Sequence, residues 1–199
     1  KVTIPKKVKE IGQDAFENCK QLENITLPGQ YTLKKKKGDD AYATIMGGSM
    51  ADTVTFSTSI DLKTVTYVNS NVFDVSANDK NYTSKSGMIY TKDGKTLVRV
   101  SAGTKELSID EGCETFALQS ILYARYFDGD DYVVCNKLEK IRIPASVKKI
   151  DLYAYEAGDS LDRFDEVKDV VISATDLDGE SIVNLCNRTN ISTWANVAK

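Results

Sequence analysis

Polar and apolar side chains alternate through Asn24-Ile25-Thr26-Leu27, and the pattern stops at Pro28. Ile25 and Leu27 share one side of an extended strand, leaving Asn24 and Thr26 on the other. Pro28 ends the strand because it has no N–H to give a ladder. Upstream, Val8 and Ile11 stand three apart, Gly12 allows a bend, and DAFENC (14–19) reads as one helical turn carrying Ala15, Phe16 and Cys19 inward.

The strand pattern recurs. CKQLENITLP (19–28) and CNKLEKIRIP (135–144) share Cys, Leu, Glu, the first Ile and Pro, and differ mainly at polar positions. IPKKVKEI from Ile4 and IPASVKKI from Ile143 coincide in the same way, and Pro5 and Pro28 are 23 residues apart, which sets the basic period. A looser copy, LSIDEGCETF (107–116), places Ile109, Cys113 and Phe116 on the inward positions, and LKTVTYV (62–68) repeats the strand spacing without the proline. Each unit buries nothing alone. Stacked units would line up their Ile, Val, Leu, Phe and Cys side chains in ladders under a parallel sheet.

The pattern IPxxVxxIGxxAFxxCxxLxxIxLP resembles the BspA-type leucine-rich repeat of bacterial surface and secreted proteins. Residues 1–28 carry it almost letter for letter, 135–155 well and 104–117 loosely, and NYTSKSGMIYTKDGKTLVRVSAG (81–103) is similar to a hairpin often inserted between such repeats. The resemblance implies an α/β leucine-rich-repeat solenoid, horseshoe-like and β-rich with short helices, with a parallel strand ladder plus an inserted β-hairpin. It also implies a cell-surface or extracellular adhesion module for a host or microbial protein or glycan.

The chain divides, on this reading, into a repeat region over 1–172 and a helical cap of the same domain over 173–199. An irregular insertion occupies 29–61, where TVTFSTSI returns to strand, and a hairpin insertion occupies 69–103. MIYT and TLVRV flank Asp93-Gly94, which suits a type I′ turn. The hairpin is expected to be an excursion, with Met88 and Tyr90 on one face and Ile89 and Thr91 on the other. TFALQSILYARYF (115–127) spaces Phe116, Ile121, Leu122 and Tyr126 for an amphipathic helix, and DLDGESIVNLCNRTN (176–190) predicts a helix with Ile182, Val183, Leu185 and Cys186 inward, closing an otherwise open end.

Composition narrows the chemistry. The 199 residues contain no His, which removes Ser-His and Cys-His nucleophile pairs and the commonest metal ligand. A net charge of −3 gives no general attraction to nucleic acid, and no apolar run reaches the ~20 residues of a membrane-spanning helix. The chain starts in a strand, without a Met or a signal sequence, so it is expected to be a piece of a longer protein. Cys19, Cys113, Cys135 and Cys186 all fall on core positions and read as free buried thiols rather than as a disulfide or metal set. DGDD (128–131) and DLDG (176–179) bring carboxylates together but lack a full calcium loop, and read as turns. KKKKGDD (34–40) reads as a solvated loop, with a docking patch as the alternative.

No cofactor, metal or catalytic residue is nominated. The expected binding surface is the outward face of the strands: Thr3, Asn24, Thr26, Thr64, Thr66, Ser108, Lys140 and Arg142. Two rivals stand beside this reading, a hydrolase or carbohydrate-processing site built by 29–61 and 115–134, and a structural spacer.

Overall fold

A computed structural model describes residues 1–38, 43–121, 125–128, 131–134, 138–151, 167 and 169–188. Four short strands form a parallel sheet in the order β1 (Val2–Thr3), β3 (Asn24–Leu27), β5 (Ala51–Phe56) and β6 (Ser70–Val75). Val2, Ile25, Val54 and Phe73 stand in register, so successive units are 23, 29 and 19 residues long. A second ladder runs Leu27, Phe56, Val75, and the Phe56 and Phe73 rings stack at 6.3 Å. Alongside, β2 (Glu10–Gly12) pairs in parallel with β4 (Thr32–Lys34).

The second parallel sheet joins β10 (Glu106–Ser108), β14 (Lys140–Ile143) and β16 (Asp169–Ile172), with Leu107, Ile141 and Val170 in register. Ile109, Cys113, Phe116, Ile143, Val147 and Ile150 are buried beneath it, as the looser copy (107–116) and the closer one (135–155) predict.

Between these sheets lies a five-stranded mixed sheet ordered β15 (Lys149–Asp151), β11 (Thr115–Ala117), β9 (Thr96–Arg99), β8 (Met88–Thr91), β7 (Tyr82–Lys85). The β8–β9 hairpin is present as predicted, but it is not an excursion. Met88, Tyr90, Leu97 and Val100 enter the core of the second half, while Ile89 and Val98 enter the core of the first. The hairpin is a shared wall buried on both faces, and β9 also pairs in parallel with β11. Its turn differs as well: of Asp93-Gly94 only Gly94 has positive φ, and Gly94 N–H donates to Thr91 O at 2.8 Å. The two-residue turn with positive φ at both positions, the mark of type I′, is Ser86 (51°) and Gly87 (76°) between β7 and β8.

Four further expectations are corrected. Residues 13–19 form reverse turns, not a helical turn, because Asp14 and Asn18 adopt left-handed φ near 58° and 59° that interrupts any helix; Ala15 is exposed, and Phe16 and Cys19 are half-buried. LKTVTYV is not a strand: Asp61 accepts from Lys63 N–H at 2.9 Å and caps a short helix, α1 (Leu62–Val65). Residues 115–121 are β11 followed by a 3-10 turn (Leu118–Ile121) with Phe116 and Ile121 buried, and β12 (Arg125–Asp128) then pairs antiparallel with β13 (Asp131–Val134), so the described residues of 115–127 form no amphipathic α-helix. Leu122 and the side chain of Tyr126 lie outside the described residues. In the predicted C-terminal helix, α2 (Gly179–Arg188), Leu185 is buried but Val183 is 54% exposed.

Three tertiary contacts fix these pieces. α2 closes the free edge of β15: Ser181 Oγ accepts from Ile150 N–H at 2.8 Å, and Asn184 Nδ2 donates to Ile150 O at 3.1 Å. Buried Asp79 takes N–H groups from Ile60, Asn81 and Tyr82 at 2.8 to 2.9 Å, binding the entry of the hairpin to the loop before α1. Gly29 lets that same loop approach, since a Cβ there would meet Ser59 O at 2.3 Å.

Candidate binding surface

Side chains pointing away from the ladders make two outward faces. On the first sheet, register sets Thr3 beside Thr26, Thr26 beside Thr55 and Thr55 beside Asp74, with Asn24, Thr53 and Val72 forming a second row. Thr55 Oγ1 reaches Asp74 Oδ2 at 3.4 Å. Thr3, Asn24, Thr26 and Thr53 make no side-chain hydrogen bond among the described residues. Val72, 40% exposed, is the large apolar side chain on this face, and the backbone of Gly87 lies against it.

The second sheet presents a different surface. Glu106, Lys140 and Asp169 form one row and Ser108, Arg142 and Val171 the next. Lys140 Nζ pairs with Asp169 Oδ2 at 2.5 Å and Arg142 Nε with Glu106 Oε1 at 2.5 Å. Below it, on the mixed sheet, Glu114 sits between Lys95 (3.0 Å) and Lys148 (3.3 Å), and these ammonium groups hold its carboxyl below the usual carboxylate range.

Of the expected face residues, Thr3, Asn24 and Thr26 are together on the first sheet, and Ser108, Lys140 and Arg142 on the second. Thr64 and Thr66 belong to neither. Thr64 is 3% exposed in α1, and Thr66 is its C-cap, donating from Oγ1 to Lys63 O at 2.7 Å. Their outward places are taken by Thr53, Thr55, Val72 and Asp74, and alternation in DTVTF and NVFDV carries that signal.

Cys113 is a buried free thiol as expected, whereas Cys19 and Cys186 are free but only half-buried; desolvation pushes Cys113 and Cys186 up from the ordinary thiol value, and Cys135 lies outside the described residues. Asp178 of DLDG caps α2, accepting from Ser181 N–H at 2.7 Å, and no group of three or more His, Cys, Asp or Glu among the described residues is placed to hold a metal ion. Residues 129 and 130 of DGDD lie outside the described residues. No helix among them is long and apolar enough to cross a membrane.

Parallel strands at short, repeated intervals over aligned apolar ladders are the architecture of a leucine-rich repeat. The family model described as "BspA type Leucine rich repeat region" matches in six copies, over residues 1–94 and 127–197. The chain belongs to the BspA-type leucine-rich repeat family. Among solved structures, this BspA-type chain is similar to a leucine-rich repeat protein from Eubacterium ventriosum (14% identity, 87% of this chain and 60% of that one, TM-score 0.35). It is also similar to the pneumococcal vaccine antigen PcpA (13% identity, 85% and 44%, TM-score 0.40). The chain thus spans less than two thirds of either. Comparison with curated proteins finds no match.

Proposed function

We propose that this BspA-type repeat domain is a non-catalytic binding module of a cell-surface or secreted protein, a curved solenoid that docks a protein or glycan ligand on the outward face of its first sheet. One observation carries the reading: Thr3, Asn24, Thr26 and Thr53 form a rigid, uncharged array whose hydrogen-bonding groups have no intramolecular partner among the described residues. Docking there displaces only water, and the ladders beneath have already ordered the backbone. Ser108, Lys140 and Arg142 contribute less, since the two cations are already paired.

Part of each segment that a hydrolase site would use is spent on the interior. Leu33, Ile45, Met46, Val54 and Phe56 of 29–61, and Phe116, Leu118 and Ile121 of 115–134, are all buried. Immobilised domain presented with purified glycans and glycoproteins tests the proposal. Retention without turnover, abolished by Thr26→Arg/Thr53→Arg in a protein with unchanged circular dichroism, is the expected result. Turnover of a glycan or peptide would favour an enzyme, and no retention of anything would favour a spacer.

A further inference from the structure

The lysine run 34–37 does not stand alone. Pairing of β2 with β4 sets Lys34 beside Gly12, and Lys36 N–H donates to Gln13 Oε1 at 3.1 Å, so the run lies beside residues 12–14. Lys6, Lys7 and Lys9 are exposed on the segment that leads into β2, where Thr32 N–H donates to Lys9 O at 2.8 Å, and they carry the basic strip back along the same pair of segments. Glu10 and Asp14 offset Lys34 (3.5 Å) and Lys36 (2.7 Å), but Lys6, Lys7, Lys9 and Lys37 have no acidic partner among the described residues. On the second and mixed sheets, by contrast, cations and carboxylates interleave in pairs. Residues 1–40 hold nine Lys against six Asp and Glu, a charge of +3, which leaves −6 on the remainder of a chain of net −3. That asymmetry makes the region complementary to an anionic partner.

We propose that this strip is a docking surface for a sulfated polysaccharide chain, distinct from the outward face of the parallel sheets. The strip is exposed sheet and turn, which suits a linear polyanion lying along it. It has no arginine, the first in the chain being Arg99, so the bidentate fork that reads phosphate and guanine is missing. It has no helix N-terminus to supply backbone donors to phosphate. Its aromatic residue, Tyr31, is buried and cannot stack on a base. Among the described residues the exposed large apolar side chains, Val72 and Val183, lie away from the strip and give it no apolar anchor for a lipid surface. Lysine ammonium groups are mobile, hydrated point charges that match sulfates hung from a hydrated backbone, and exposed Thr32 offers the sugar a hydroxyl.

Heparin is the probe. The native domain should be retained on immobilised heparin at ~0.1 M salt and released as salt rises, the mark of counterion release. Lys6→Gln/Lys7→Gln/Lys9→Gln/Lys37→Gln should weaken binding about tenfold or more and flatten the salt dependence. Lys63→Gln/Lys80→Gln/Lys92→Gln/Lys105→Gln, an equal charge change on exposed lysines elsewhere, should stay within about twofold. All eight lysines are exposed, so circular dichroism should be unchanged in both variants. Failure of the native domain to bind, or equal losses in the two variants, would overturn the strip. Equal retention of double-stranded DNA, a polyphosphate or anionic vesicles would overturn its assignment to sulfated polysaccharide.

Discussion

Opposite the Val2, Ile25, Val54, Phe73 ladder the first sheet shows solvent mostly threonines and an asparagine, whereas opposite Leu107, Ile141 and Val170 the second shows Glu106, Lys140, Arg142 and Asp169, joined in ion pairs. The interiors follow one rule and the exteriors do not, because a core needs only volume and apolarity on one side of a strand and leaves the other side free. A face of paired charges is already satisfied by itself, and a ligand must desolvate or replace those pairs to dock. A neutral hydroxyl face loses only water. Position within the repeat is therefore not enough to nominate a binding residue; what the neighbouring strand places beside it decides.

The comparison breaks most violently at its shared premise, the inward ladders. Val54→Asp in the first half and Val147→Asp in the second each bury an unpaired carboxylate at a position with no exposure, which costs several kcal/mol and should unfold the domain by circular dichroism. Thr26→Asp on the outward face should be mild. Similar urea midpoints for all three would mean that inside and outside have been confused.

Next in size is the wall between the halves. Ile89→Ala should lower stability by about 2–5 kcal/mol and leave a single urea transition, because β8 and β9 feed both cores. Two resolved transitions would show that the halves unfold separately. Replacing residues 76–102 with a Gly-Ser linker should give a chain that does not fold, since it strips Met88, Tyr90 and Leu97 from one core and Ile89 and Val98 from the other.

The contrast between the faces should appear as salt sensitivity. Arg142→Gln removes an exposed ion pair, with an expected loss of at most about 1 kcal/mol that fades in ~1 M salt. Thr26→Gln should show no such dependence, and a matching salt response would erase the distinction.

Smallest is the pH response of the paired region. Glu114 is held low by Lys95 and then Lys148, and Asp178 by the N–H and hydroxyl of Ser181. A carboxyl lowered in the folded state contributes stability that is complete above its unfolded value near ~4 and is lost as pH falls through the folded one. Melting temperature should therefore drop as pH is taken below about 4. Glu114→Gln should blunt the drop at low salt only, whereas Asp178→Asn should blunt it at any salt; identical profiles for both variants would contradict this division.

The sequence by itself determined the inward side of each unit. Ile25 and Leu27, Ile141 and Ile143, Val147 and Ile150 are buried as their spacing requires, because a strand returns to the same face every second residue and a tight turn about every third. It also carried the β8–β9 hairpin and the C-terminal helix, whose turn and helix chemistry is local. Long-range competition decided the rest. LKTVTYV has strand spacing, and its local cap from Asp61 prevails because pairing with β5 goes to Ser70–Val75, whose Phe73 and Val75 fill the ladder while Thr64 is buried. Met88, Ile89 and Tyr90 form a continuous apolar run that means a wall with two buried faces only when a core stands on each side. The pairings of Arg142 with Glu106 and Lys140 with Asp169 join residues 36 and 29 positions apart, and register between strands, which no single strand encodes, sets them face to face.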